Sequence, residues 1–156
     1  MRDDSGLPQI DFHAMNPAEP PAGDLLAAMV AEMVDLYDGM GPPPATTADL
    51  TPPRGIFLVG FEGDEPVCSG ALTRLGDGAA EIKRMYVVPA ARRRGIARRL
   101  LAALEDAARD MGCDVVRLDT GARQPHAQAL YEASGYVAVP DYNANPKAAF
   151  WGEKRL

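Results

Sequence analysis

Between Arg92 and Arg99 the chain carries five of its 16 basic residues, set around Gly95 where a strand-like run gives way to a helical one. Those residue types at that junction suit an anion with several charges. Gly95 lets the backbone approach a ligand closely, and the helix beginning there points unpaired N–H groups and the positive end of its dipole into the turn. The chemistry implied is capture of a polyphosphorylated ligand on a pyrophosphate cradle. Taken alone, R-x-x-G-x-A also occurs by chance, and a charge run on a helix is more often a solvated face. A P-loop would need G-x-x-x-x-G-K followed by Ser or Thr, and a dinucleotide fingerprint would need G-x-G-x-x-G; the sequence has neither.

The elements around the turn follow from hydrophobic period and turn residues. Residues 9–15 read as a first strand, ended by the proline-rich connector NPAEPP. Leu25, Leu26, Met29, Val30, Met33, Val34 and Tyr37 recur at helical spacing, with Asp24 favouring the start and Gly39 and Gly41 the stop. The long loop at residues 41–55 has a composition suited to substrate access. Three strands follow, IFLVGF, PVCSGALTRL and AAEIKRMYVV, joined by the turns EGDE and GDG into an antiparallel meander. A helix over residues 96–111 places Ile96, Leu100, Leu104, Ala107 and Met111 on one face, with Gly112 as its stop. VVRLDT is the next strand, and strand–helix–strand in this order implies a parallel pair with the cradle at the carboxyl end of AAEIKRMYVV. A helix over residues 125–134, a strand YVAV, a polar loop DYNANPK and a last strand AAFWGEKRL complete the chain.

Composition narrows the surroundings. A length of 156 residues with 47% apolar content predicts one domain, residues 1–156, with a core of its own. A net charge of −6 argues against a nucleic-acid partner, whose affinity would come from a broad basic face. No window approaches the roughly 20 apolar residues of a membrane span, and MRDDSGLPQ lacks the parts of an export signal, so no membrane association and a cytoplasmic location are expected. Cys68 and Cys113 lack metal-ligand spacing and read as small core residues; His13 and His126 stand apart, so no metal site is expected.

The segment V-x-P-x-x-R-x-x-G-x-A at residues 87–97, between a strand and a helix, resembles the acyl-CoA signature of the GNAT superfamily of N-acetyltransferases. The later HAQALYEASGY resembles that family's helix bearing a tyrosine beside the thioester sulfur. The likeness covers about residues 55–139 and departs at His126, where many members have Asn. It implies an α/β fold: a mixed, mostly antiparallel central sheet flanked by helices, with a splayed parallel pair at the acyl-CoA site. It also implies acetyl-CoA as cosubstrate. Backbone N–H groups of Arg93, Arg94, Gly95, Ile96 and Ala97 would hold the pyrophosphate, with Arg92 and Arg98 adding charge-assisted contacts; Arg94 and Arg99 side chains are equally well read as solvated. Main-chain groups of Met85, Tyr86 and Val87 would pair with the pantetheine arm as an added strand does, although Met85 and Val87 also suit core packing. His126 would cap its helix, contact CoA or stay in solvent.

Two catalytic residues follow from the resemblance. An alkylammonium is mostly protonated at pH 7, which adds about 4 to 5 kcal/mol to the barrier of amine acylation. Glu81 is the candidate base, placed by a period of two on the face of Met85 and Val87; Lys83, on that same face, offers it a structural ion pair instead. Tyr131 is the candidate donor to the departing thiolate, against a bland reading as a core tyrosine, and the Val87 N–H would meet the developing oxyanion. Asp119 and Thr120 read as an ordinary strand exit, while Tyr142, Asn143, Asn145 and Trp151 suit either a substrate pocket or a hairpin turn.

The activity implied is transfer of an acetyl group from acetyl-CoA directly to a primary amine of a small molecule or peptide. An acidic chain would steer cationic amines toward itself. Edge strands in such folds pair across dimers, so a homodimer is one expected assembly. A non-catalytic CoA-binding regulatory module of the same fold, and a basic-patch domain for nucleic acid or phosphoprotein, are the competing readings.

Overall fold

The three apolar runs after Gly55 form the centre of a sheet in a computed structural model that describes residues 8–43 and 45–156. Residues 1–7, read above for export features, and Pro44 of the long loop lie outside the described residues. Strand β1 (Asp11–Ala14) pairs with β2 (Gly55–Glu62), β2 with β3 (Glu65–Gly76), and β3 with β4 (Ala79–Val87), all antiparallel. Gly63, Asp77 and Gly78 turn these hairpins with positive φ, the conformation that glycine and aspartate reach most cheaply. Strand β5 (Val115–Gly121) runs parallel to β4, and β7 (Ala148–Arg155) and β6 (Val137–Ala138) close the sheet in the order β1-β2-β3-β4-β5-β7-β6. This is the mixed, mostly antiparallel sheet with one parallel pair that the sequence implied.

Helices cover both faces. On one side lies α1 (Ala22–Leu36), whose Leu25 and Met29 pack with Phe57, Val59 and Ala71 of the sheet. On the other lie α2 (Ile96–Asp110) and α3 (Pro125–Ala133); Ile96, Leu100 and Leu104 are fully buried among Leu58, Leu72 and Ile82. Each such side chain contributes about 1.5–3 kcal/mol of burial. Cys68 and Cys113 are free and buried, and burial pushes the Cys68 thiol up to about 12. Among the described residues no helix is long and apolar enough to cross a membrane.

Two departures from the sequence reading are local. The loop over residues 41–55 contains a 3-10 turn, Thr47–Leu50, started by a reciprocal cap: Thr46 Oγ1 accepts from the Asp49 N–H, and the Asp49 carboxylate accepts from the Thr46 N–H. In YVAV only Val137–Ala138 pair as strand, because Tyr136 turns inward and donates its hydroxyl to buried Glu105 at 2.9 Å. Lys154 reaches the same carboxylate at 3.1 Å, which satisfies a charge on the otherwise apolar face of α2.

Candidate active site

Strands β4 and β5 stay paired only from Ala79↔Val115 to Glu81↔Arg117. Beyond Glu81 they part, and β4 residues from Ile82 onward turn one backbone edge to a cleft instead of a neighbour. The cleft holds about 270 Å³ and is lined by Glu81 to Met85 of β4, Asp119 to Gly121 of β5, Tyr131 of α3, Met29 and Met33 of α1, and Asn143, Asn145 and Lys147 of the loop before β7. The Val88 N–H bonds to the Val67 carbonyl on β3. Alternation along the strand therefore sends the N–H of Val87 to the opposite edge, the one facing the cleft, as an oxyanion donor or a pantetheine partner requires.

The face assigned to Glu81 is corrected by a β-bulge. The register steps from Ala71↔Lys83 to Ser69↔Tyr86, three residues of β4 against two of β3, with Arg84 at φ 61. One extra residue inverts the period of two. Glu81 and Lys83 therefore lie on the α1 side of the sheet with Ala71 and Tyr86, whereas Met85 and Val87 pack on the α2 side. The Lys83 pairing does form, at 2.9 Å from Glu81 Oε1. Glu81 Oε2 accepts from the Tyr142 hydroxyl at 2.7 Å and from Asn143 Nδ2 at 3.1 Å, so three donors hold this buried carboxylate in place.

Tyr131 lies where the splayed strands and α3 meet, buried, with its hydroxyl 3.7 Å from Met85 Sδ. Burial and the nearby Asp119 charge push its pKa above the usual tyrosine value, which keeps the phenol protonated as a hydrogen-bond donor. Asp119 itself is raised, chiefly by desolvation; the Asn143 and Asn145 amides that donate to it act in the lowering direction. Trp151 Nε1 donates to Asn143 Oδ1 at 3.0 Å. The residues read as an ordinary strand exit and a polar loop are thus one network, joining both carboxylates through Asn143. The mixture of Tyr, Asn and Trp in DYNANPK and AAFWGEKRL was its one signal.

At the carboxyl end of β4 the arginine turn has the expected backbone. Gly95 is the left-handed N-cap of α2 at φ 77, with no side-chain cap. The backbone bond from the Arg99 N–H to the Gly95 carbonyl opens the helix, leaving the preceding amides of Ile96, Ala97 and Arg98 free of intrahelical partners. The guanidinium groups divide differently from the sequence reading. Arg92 donates to the Val87 carbonyl at 2.9 Å and pairs with Glu32 of α1 at 2.6 Å, so it braces the turn. Arg94 is not simply solvated: it forks onto Glu62 of β2 at 2.5 and 3.2 Å. Arg99 donates to the Pro8 carbonyl. Arg93 and Arg98 are exposed and carry no ion pair to a described residue. His126 is exposed at the second position of α3, two residues beyond the N-cap, which is Gln124.

A cleft between splayed parallel strands, with a phenol at its wall and free helix amides at the end of one strand, defines an α/β acyltransferase. A sequence model of the Acetyltransferase (GNAT) family matches residues 26–136, and the chain belongs to that family. It is 31% identical over 132 residues to the IAA acetyltransferase of Azospirillum brasilense, covering 84% of this chain and 86% of that protein. It is 29% identical to an uncharacterized N-acetyltransferase of Bacillus subtilis, covering 85% of this chain and 93% of that one. Among solved structures, a Klebsiella pneumoniae protein assigned as an acyl-CoA N-acyltransferase superposes with a TM-score of 0.75 at 31% identity, covering 95% of this chain and 98% of that chain. A GNAT acetyltransferase of Elizabethkingia anophelis, solved with acetyl-CoA bound, shares the fold with a TM-score of 0.69 at 18% identity, covering 94% and 98%.

Proposed function

We propose that the protein is an N-acetyltransferase that moves an acetyl group from acetyl-CoA directly to a primary amine of a small molecule or peptide. The observation that carries this reading is the buried Tyr131 hydroxyl beside Met85 in the cleft where β4 leaves β5. The amides at the start of α2 hold the diphosphate, Arg93 and Arg98 add charge from the exposed side, and Arg92 fixes the turn through Glu32. The main chain of Met85, Tyr86 and Val87 takes the pantetheine arm as an added strand.

In the transfer, the amine nitrogen attacks the thioester carbon, the new C–N bond forms, and the C–S bond breaks. The Val87 N–H meets the charge that develops on the carbonyl oxygen. Tyr131 donates to the departing thiolate. Glu81, whose charge is met by the Lys83 ammonium and two further donors, positions Lys83, Tyr142 and Asn143. Asp119, raised by burial in the same cleft, takes the proton that the amine must lose, directly or through water. Release of free thiol from acetyl-CoA on adding amines tests the reading. Amine-dependent thiol release supports it, whereas stabilisation by CoA with no thiol release across polyamines, amino acids, aminoglycosides and peptides favours the regulatory module.

A further inference from the structure

Two cations in the cleft have no use in the transfer just described. Arg84, the extra residue of the β4 bulge, is half-buried and donates to the Pro43 carbonyl. Lys147, from the loop before β7, is half-buried and donates to the Met40 carbonyl at 3.4 Å. Both line the cleft, and both end on the same segment after α1. Neither forms an ion pair with a carboxylate among the described residues, although the chain holds 22 acidic residues against 16 basic ones. Of the neighbouring carboxylates, Glu81 is taken by Lys83, Tyr142 and Asn143, while Asp119 accepts from the Asn143 and Asn145 amides and ion-pairs with neither Arg84 nor Lys147. A neutral carbonyl solvates a cation and leaves its charge uncompensated. Burial accordingly lowers the Arg84 pKa, with Glu81 nearby acting in the opposite direction.

From this pairing pattern we infer that the acceptor is an acid-bearing amine, an amino acid, whose carboxylate is held between Arg84 and Lys147. The inference rests on the proposed acetyl transfer and deepens it by naming the substrate class. The carboxylate sits at the outer, cationic side of the cleft under the segment after α1, and the amine faces Asp119 and Tyr131. A guanidinium fork matches the two oxygens of a carboxylate, and a lysine ammonium adds a second point charge. At about 270 Å³ the cleft falls just below the range of clefts for drug-sized ligands, which suits a single amino acid. Met29 and Met33 at the same wall offer an apolar surface to its side chain. The acidic chain still favours cations at long range, but the cleft itself has the opposite local bias.

Calorimetric titration of the CoA-saturated protein with free L-amino acids and with their methyl esters tests the inference, and thiol release from acetyl-CoA is measured on the same pairs. The best-bound acid should exceed its ester by about tenfold or more, the size of a lost charge-assisted contact. In Arg84→Gln, and separately in Lys147→Met should the first variant fold poorly, that ratio should fall toward one. Equal binding of acid and ester, no binding of any acid, or a ratio unchanged in both variants overturns the anion subsite. Preferential binding of acids without thiol release would leave the subsite standing and overturn acetyl transfer instead.

Discussion

Replacing Tyr131 by Phe isolates the proton-donor role more cleanly than any other change in the cleft. Among the described residues the Tyr131 hydroxyl has one partner, the Met85 sulfur at 3.7 Å, which is a weak acceptor and loses little when left alone. The ring keeps its burial and its edge contact with Tyr136, so stability should change by no more than about 1.5 kcal/mol, the upper end for one neutral hydrogen bond. During transfer the same hydroxyl faces a developing thiolate, and a hydrogen bond to a charged group contributes about 1.5–3 kcal/mol. The expected loss in kcat/KM is therefore about 10- to 150-fold. Thiol release gives the rate, thermal unfolding the stability, and calorimetry the affinity for CoA. An unchanged rate would refute the donor role. A rate loss matched by an equal loss of CoA affinity would show instead that Tyr131 only shapes the binding site.

Other changes test the surrounding structure. Asp119→Asn should abolish most amine-dependent thiol release, and its melting temperature relative to the unaltered protein should rise from pH 3 to pH 7. The raised Asp119 pKa means that the folded protein binds this proton more readily than the unfolded chain, so ionising it costs stability. That cost is absent below the unfolded value of about 3.9 and complete above the folded one; a difference between variant and unaltered protein that is the same at pH 3 and pH 7 would refute the assignment. Leu104→Ala, fully buried on α2, should cost about 2–5 kcal/mol in denaturant unfolding. Lys154→Met should cost about 3 kcal/mol by the same measurement, at the low end for a broken buried pair because Lys154 is 27% exposed. Native protein should react with a chromogenic thiol reagent at pH 8 at neither cysteine, since both are buried and the Cys68 thiol is pushed up to about 12; labelling of both should appear only on unfolding.

The sheet and the cradle were legible because local signals carry them. Gly63 and the Asp77–Gly78 pair mark the hairpins, a 3.6-residue period marks α2, and Gly95 marks the turn that needs a positive φ. The bulge at Arg84 has no such mark. Neither Gly nor Pro stands in AEIKRMYVV, so a regular period of two was the natural reading, and one inserted residue moved Glu81 to the opposite face from Met85. The arginines failed for another reason. Whether Arg92 and Arg94 face a ligand depends on Glu32 and Glu62, each at least thirty positions away in the chain, and no window around the turn contains them. Asp119 and Asn143 likewise meet only because β5 and the loop before β7 converge in the fold.

The proposed function stands or falls on the start of α2 taking the diphosphate of coenzyme A. Isothermal titration with CoA, repeated with pantetheine, which carries the same thiol arm without the diphosphate, tests it most directly. Saturable uptake of CoA at one site per chain and a large loss of affinity for pantetheine are expected. No uptake of CoA, or equal affinity for the two, would contradict it.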